Sequence, residues 1–332
     1  MIFAYTEKKE MVQASEVEKK QHVFCPDCGE GLIRKAGQIK IPHFAHGRHS
    51  ECHGLSEGET PEHLGAKWFF HEWGNHFDET WQLETPLPDL PQRPDLLHER
   101  IAVEIQCSPL KSTRLEERIH GYRDKNYQDW WLLGKKLWSK EKFTVLQKQF
   151  CSFDKERGVH LWLLGDNQIR LLYHIHEVDE VIYSEERWSE SSHPLKEIYH
   201  SCVAKRPPHL YLTSESISQR KQELSLKLVQ SNPRVRALQE YLYSERRHLL
   251  YLPNWVYFPS RYSFFYQEDL LVFRYLFQKE AKNASRIFQK FLEFRQENQK
   301  EWLFYRIDQR EILERMYLEA IFCQRKVKVL SP

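Results

Sequence analysis

The segment from Arg93 to Ser108, RPDLLHERIAVEIQCS, places two carboxylates and an amide where they can act together. The alternation in Ile101-Ala102-Val103-Glu104-Ile105-Gln106 predicts a strand. Ile101, Val103 and Ile105 share one face of it, and Glu104 and Gln106 share the other. Arg93 to Leu97 is expected to be its partner strand, with His98-Glu99-Arg100 as a connection of the length hairpins use. That hairpin brings Asp95 near Glu104. Two carboxylates at adjacent strand positions repel each other unless a cation lies between them. A hard divalent cation such as Mg²⁺ or Mn²⁺ takes oxygen ligands of this kind. It can activate water and offset charge on a phosphodiester. The same spacing also suits an ordinary solvated strand face.

A second group of residues favours a softer metal. Cys25-Pro26-Asp27-Cys28-Gly29 forms a tight CPxCG knuckle, His43-Phe44-Ala45-His46 follows, and Cys52 lies six residues beyond. Thiolates and imidazoles at this spacing fit a tetrahedral Zn²⁺ site. Cys25 and Cys28 are the first pair. His46 and Cys52 are the preferred second pair, and His43 is the alternative because HxxH can chelate on one turn. A closed sphere of four protein ligands makes such a site structural. The competing reading is a reduced CxxC without metal and surface histidines.

The flanking sequence must position these groups. Ile2 to Tyr5 and Met11 to Ala14 read as a hairpin around Glu7-Lys8-Lys9, and Leu32 to Arg34 with Gln38 to Ile41 as another. In the segment from Gly58 to Trp73, GETPEHLGAKWFFHEW, Thr60 can cap a helix, Pro61 suits its first position and Glu62 favours its N-terminal dipole. Leu64 and Trp68 supply a buried stripe, and His63 and Lys67 stand at i,i+4. A linking strand covers Trp81 to Glu84, with Glu84 unplaced relative to the acids. After the central hairpin, Ser108-Pro109 opens a helix through Arg114, Glu117, Arg118 and Tyr122. Asp129 to Gly134 then reads as a strand. Strand, helix, strand predicts a parallel crossover. Arg118 and Tyr122 share a helix face, where Arg can hold phosphate bidentately and Tyr can stack or orient.

Further on, the pattern predicts a helix over Glu141 to Phe150 and a hairpin of His160 to Leu164 with Ile169 to Tyr173. Gly165-Asp166-Asn167 is good chemistry for its turn. More strand is expected from Val178 to Tyr183. Helices are expected at Leu195 to Ala204, Ser216 to Val229, Arg234 to Tyr243, Gln267 to Lys279 and Ala284 to Cys323, the last with a break. Trp255, Tyr257, Phe264, Phe265, Tyr266, Trp302 and Tyr305 recur at helical spacing. They suit core packing, or a platform on which bases of single-stranded nucleic acid stack.

D…ExQ on a hairpin resembles the PD-(D/E)xK nuclease core, with Gln106 where that superfamily usually has Lys. The CPxC and HFAH elements, the helix before the core and the segment after it are similar to the competence protein CoiA family. The resemblance covers about the first half of the chain. It implies a metal-dependent DNA nuclease that handles incoming single-stranded DNA in natural transformation and recombination. Asp95 and Glu104 would hold Mg²⁺ or Mn²⁺. Glu62 would be a further ligand or would orient the base, and His63 would serve phosphate or water. Arg118 and Tyr122 would face the site. Gln106 is neutral and can only hydrogen-bond. In this resemblance the usual lysine has a migrated candidate in Lys67. Recombinase and other DNA-processing proteins are the implied partners. The alternative is a nuclease fold that binds DNA and assists recombinase loading without cutting.

With 332 residues the chain has room for two or three domains. The fold expected is α+β: a zinc knuckle over residues 1–57, a restriction-endonuclease-like α/β core over 58–185 and a helical region over 186–332. No apolar run reaches membrane-spanning length. The amino-terminal segment breaks into charge too early for a signal peptide. Seven cysteines, two of them in a CxxC, suit thiol ligands in a reducing compartment, and hence the cytoplasm. The net charge is only +2. The segment from Lys205 onward carries the excess of Lys and Arg, which favours a polyanion partner. No Walker A motif, dinucleotide fingerprint or nucleophile elbow is present.

Overall fold

The computed structural model describes residues 1–18, 21–26, 28–37, 42–47, 50, 52, 60–138, 143–177, 181–203 and 214–330. The chain divides into two compact units. One comprises Met1–Lys140, Leu161–Leu172 and Glu185–Cys202, and the other Glu141–His160, Tyr173–Ser184 and Val203–Pro332.

The first unit begins with the expected hairpin, β1 (Phe3–Thr6) and β2 (Met11–Gln13). Strands β3 (Val23–Phe24), β4 (Gly31–Lys35) and β5 (His43–Ala45) extend it to a five-stranded sheet of order β2-β1-β3-β4-β5. Ala4, Ala14, Val23, Cys25 and Phe44 form its core. The partner of β4 is His43–Ala45, with Ile33 opposite Ala45. The partner segment expected from the sequence, Gln38 to Ile41, lies outside the described residues. Because β3 and β5 flank β4 in antiparallel fashion, their carboxyl ends emerge at the same end of the sheet. Cys25 follows one end and His46 the other.

Helix α1 (Pro61–His76) starts as its sequence requires. Thr60 Oγ1 accepts a hydrogen bond from the His63 amide at 3.2 Å. Its buried residues are Leu64, Lys67, Phe70, Trp73 and Gly74. Trp68, expected in the stripe, is only half-buried, and a lysine occupies the buried face instead.

Strands β6 (Gln82–Leu83), β7 (Leu96–His98) and β8 (Ile101–Gln106) follow. The β7–β8 hairpin pairs Leu96 with Val103 and His98 with Ile101, leaving a turn at Glu99 and Arg100. Helix α2 (Ser112–Asp124) leads to β9 (Gln128–Gly134), which pairs with β8 in parallel, as expected of the crossover. Next come α3 (Val145–Phe150), β10 (Ser152–Asp154), β11 (Gly158–Gly165), β12 (Gln168–Glu177), β13 (Val181–Ser189) and α4 (Leu195–Tyr199). The sheet order is β13-β12-β11-β9-β8-β7-β6, with β10 beside β11. The β11–β12 turn places Asp166 and Asn167 at φ of 53° and 55°. Two positive φ values match the twist of a tight hairpin.

All six residues of β8 are buried. Glu104 and Gln106 are therefore interior groups, which removes the solvated-face reading of that strand. The aromatic core of this unit runs from Phe70 to Trp130 at 5.2 Å and from Trp130 to Trp162 at 5.3 Å between ring centres.

The second unit is mainly helical: α5 (Ser214–Val229), α6 (Pro233–Ser244), α7 (Ser263–Tyr266), α8 (Leu270–Lys279), α9 (Ala284–Glu297) and α10 (Gln309–Leu330). The long run expected from Ala284 breaks between Asn298 and Asp308, and the helix expected over Leu195 to Ala204 ends at Tyr199. Trp255, Tyr257, Phe264, Phe265 and Tyr266 are buried, so the core-packing reading holds for them.

Gly74 packs against a tryptophan. A Cβ on Gly74 would fall 2.1 Å from Trp81 Cδ1. Trp81 is buried and flanked by Phe70 and Trp130, so its ring has no room to yield. Ala in place of Gly gains ~1 kcal/mol of helix propensity, but overpacking costs ~1–3 kcal/mol. Gly74→Ala is expected to lower the urea midpoint of unfolding; a raised midpoint would show that Trp81 adapts.

Candidate active site and metal centre

The acids are held from three directions. Asp95 immediately precedes β7, and its Oδ2 accepts from the Ile105 amide of β8 at 2.7 Å. Helix α1 supplies two further partners one turn apart. His63 Nε2 lies 2.9 Å from Asp95 Oδ2, and Lys67 Nζ lies 3.0 Å from Asp95 Oδ1. Glu104 faces the other helix: Arg118 Nη2 and the Tyr122 hydroxyl both donate to its Oε1. Their i,i+4 spacing on α2 puts both groups over one carboxylate. Arg118 also donates to the Arg93 carbonyl at 3.4 Å and lies over the Trp131 ring.

Lys67 is only 3% exposed. A buried ammonium needs compensating charge, and Glu84 supplies it at 2.8 Å in addition to Asp95. Glu84 in turn accepts from the Ile2 amide at 3.1 Å. Sequence reasoning left Glu84 unplaced. The signal that could have found it is helical period: Lys67 falls between Leu64 and Phe70 on the apolar face of α1, which demands a buried acid nearby.

These contacts divide the carboxylates electrostatically. Burial raises the Asp95 carboxyl, but His63, Lys67 and the Ile105 amide outweigh it and hold it far below the ordinary range. Burial likewise raises Glu84, but Lys67, the amino terminus and Arg93 together outweigh it and bring Glu84 down to about 2. Glu104 goes the other way. Burial pushes it up to about 8, against the pull of Arg118 and with Asp95 adding to the rise. For Lys67, burial favours the neutral form, but Asp95 and Glu84 prevail and its pKa is raised. One carboxyl lowered beside another raised is a pattern that functional sites show, as do structural ion-pair networks.

The structure thus brings together Asp95, Glu104, His63, Lys67, Arg118 and Tyr122. Gln106 is buried on the same strand, and its Nε2 donates to the Ser108 carbonyl at 2.7 Å. Glu62 is not among the partners of Asp95. It pairs with Lys136 at 3.1 Å and lines a cavity of about 550 Å³ with Phe69, Cys107 and Gly134.

In the amino-terminal sheet, ligand atoms of Cys25, Cys28, His46 and Cys52 all lie within 4.8 Å of one another. Cys28 Sγ is 3.4 Å from His46 Nε2. Among the described residues this is the group of three or more His, Cys, Asp or Glu that can hold one metal ion. A tetrahedron with ~2.3 Å bonds to sulfur has edges of ~3.8 Å, so a small contraction closes the sphere. His43, the alternative ligand, lies on β5 and outside the group.

Models of two CoiA domains match the chain. The competence protein CoiA nuclease-like domain matches residues 59–202, and the competence protein CoiA N-terminal domain matches residues 6–54. Together they span more than half of it. The chain belongs to the competence protein CoiA family. Competence protein CoiA of Bacillus subtilis (strain 168) is 30% identical over 126 residues, which is 37% of this chain and 34% of that protein. The aligned stretch thus spans about a third of that relative. No solved structure matches. The CoiA nuclease-like region contains the Asp95–Glu104 hairpin with both flanking helices, and the N-terminal region contains the cysteine and histidine cluster.

Glu84→Gln is expected to destabilise the protein by ~3–5 kcal/mol at neutral pH, because it removes one partner of a buried charge. The sign with pH follows from the lowered pKa. Glu84's contribution is complete above its ordinary value of 4.5 and is lost as pH falls through about 2. The stability gap between wild type and variant should therefore close as pH drops across that window. Urea titrations from pH 7 to pH 2 measure it, and a gap independent of pH would contradict the assignment.

Proposed function

We propose that the chain is a metal-dependent DNA nuclease that processes incoming single-stranded DNA for homologous recombination in natural transformation. The observation that supports it best is the pair of buried acids, Asp95 and Glu104, each met by cationic side chains from a flanking helix. Apolar residues of similar volume would stabilise the fold as well or better, so the cluster points to chemistry. The family's nuclease-like description and the name of its Bacillus subtilis relative favour DNA processing in competence.

The donor set fits a hard divalent ion: one carboxylate on β8, Glu104, and one just before β7, Asp95, with the Lys67 ammonium 3.0 Å from Asp95 adding positive charge beside them. Asp95 and Glu104 would hold Mg²⁺ or Mn²⁺. Such an ion supplies Lewis-acid stabilisation of phosphate charge and lowers the pKa of a bound water. The protein's own groups do the rest. His63 and Lys67 orient Asp95, and Lys67 takes the place of the lysine that the strand lacks. Arg118 can exchange Glu104 for a phosphate oxygen, because both are anionic oxygens that accept charge-assisted hydrogen bonds from a guanidinium. Tyr122 orients Glu104, and Gln106 orients water or phosphate by hydrogen bonding. Our reading leaves Glu62 with Lys136.

The second metal centre we read as structural Zn²⁺ on Cys25, Cys28, His46 and Cys52, whose four ligands leave no open position. Thiolate ligands suit a reducing compartment, so we place the protein in the cytoplasm. No helix among the described residues is long and apolar enough to cross a membrane. We keep the domain division at residue 58, between the two matched stretches.

One observation favours a second reading, in which the fold binds DNA and assists recombinase loading without cutting. Each acid already has a protein cation, Lys67 for Asp95 and Arg118 for Glu104, and Gln106 brings no charge.

Cleavage of labelled single- and double-stranded DNA with Mg²⁺, Mn²⁺ or EDTA separates the two. We expect metal-dependent product from wild type, reduced at least about a hundredfold in Asp95→Asn and in Glu104→Gln. Salt-sensitive binding in EDTA with no product from any of the three proteins would establish the non-cutting reading. For the zinc centre, Cys28→Ser should lose about one bound zinc per chain by elemental analysis and melt at lower temperature. Unchanged zinc content would exclude the assigned ligand set.

A further inference from the structure

Among the described Phe, Tyr and Trp residues of the second unit, Tyr183, Tyr243, Tyr251 and Phe322 are exposed, and two of these tyrosines share a neighbouring ring. Tyr251 is 83% exposed and Tyr243 is 57% exposed. They are not isolated. Tyr243, near the end of α6, lies 5.7 Å from the His248 ring, and His248 lies 4.8 Å from Tyr251, centre to centre. The three rings are linked through His248, which meets Tyr243 edge-on at 69° and is tilted 38° to Tyr251. The middle ring is fixed, because its Nδ1 accepts from the Leu250 amide at 3.1 Å. That bond also assigns the ring proton to Nε2. A group held this way loses little freedom on binding.

Three arginines surround this group, and two acids stand among them: Glu240 lies 4.0 Å from Arg236, and Glu245 pairs with Lys279. Arg246 and Arg247 are exposed in the turn after α6. Arg246 has φ of 57°, the left-handed turn position that carries the chain from Tyr243 back to His248. Arg236 is exposed on α6 seven residues before Tyr243, which is two helical turns and ~10 Å along the same face. Rings offer faces, and the arginines offer charge to a polyanion. Bases in a duplex are already stacked on each other, whereas unpaired bases have free faces for aromatic side chains.

We propose that Tyr243, His248 and Tyr251, flanked by Arg236, Arg246 and Arg247, form a stacking platform for single-stranded nucleic acid. The unpaired bases lie against the rings, and the backbone phosphates meet the guanidinium groups. The proposal is independent of cleavage at the Asp95–Glu104 hairpin, and its test contains no metal.

The test is fluorescence anisotropy with the full-length chain in EDTA. The probes are labelled oligo(dT), oligo(rU), the duplex of the same length and an abasic oligomer that keeps only sugar and phosphate. Tyr251→Ala and Tyr243→Ala should each weaken oligo(dT) binding at least about fivefold and leave binding of the abasic oligomer unchanged. Arg246→Ala should weaken both and lower the salt slope by about one phosphate contact. Circular dichroism checks that the surface variants remain folded. Comparable losses on oligo(dT) and oligo(rU) would identify the ligand as either nucleic acid, and a loss on one alone would identify which. Wild-type affinity in the double tyrosine variant, or absence of binding by wild type, would overturn the proposal. Sedimentation in which the double variant loses self-association while its oligo(dT) binding is intact would also overturn it, in favour of a protein interface.

Discussion

A lysine ammonium buried between two carboxylates constrains the first unit more than any other contact. Lys67 projects from α1, Asp95 precedes β7, and Glu84 follows β6 and reaches back to the amides of Ile2 and Phe3. One cation thus ties the helix, the hairpin and the amino-terminal sheet to a common point. The arrangement tolerates no partial version. An unpaired ion in that interior costs several kcal/mol, whereas each added partner returns much of the loss. The Glu84 backbone shows how tightly it is held: its φ is 49°, in the left-handed region that side chains avoid.

The same constraint separates what was legible in the sequence from what was not. The strand over Ile101 to Gln106, its hairpin and the parallel crossover to β9 follow from period, turn length and handedness, although the partner strand is Leu96–His98 and not Arg93 to Leu97, which leaves Asp95 just before it. Those signals are local, so the sequence carries them openly. His63, Lys67, Arg118 and Tyr122 were readable as helix-face pairs, but not the carboxylate each would meet. Spacing along a helix gives direction around its axis, and the partner is set by how the helix docks. Glu84 shows the limit. A lone acid after a two-residue strand has no pattern of its own, and its role appears only once a buried lysine has to be neutralised. In the helical unit, period located the helices and indicated a break in the run from Ala284, but not its place after Glu297. That break follows from a tertiary demand: buried Asp269 takes both Arg295 and Lys300, on the last turn of α9 and just beyond it.

The zinc-type cluster illustrates a third case. CPxC and HxxH spacings offered five candidates for four places. Topology chooses among them, because β3 and β5 end at the same edge of their sheet. Cys25 and His46 come just after those ends, while His43 lies within a paired strand, opposite Lys35. Residues engaged in a ladder have directions fixed by the pleat. Residues just past it are free to turn toward a shared point.

Charge balance around the hairpin bears on the amide at position 106. Lys67 stays protonated, Asp95 stays ionised, and Arg118 sits on Glu104, whose carboxyl burial raises to about 8. A lysine at 106 would add a further cation to the same buried strand, two residues from Glu104 and beside a helix that already brings Arg118. Asp95 and Glu84 already pair with Lys67, and Glu104 already pairs with Arg118. The desolvation of an extra ammonium costs several kcal/mol, and a shared carboxylate returns only part of that. An amide avoids the cost and finds its partner in the Ser108 carbonyl, at 2.7 Å. The positive charge beside Asp95 enters from α1 through Lys67, and Gln106 on β8 brings none.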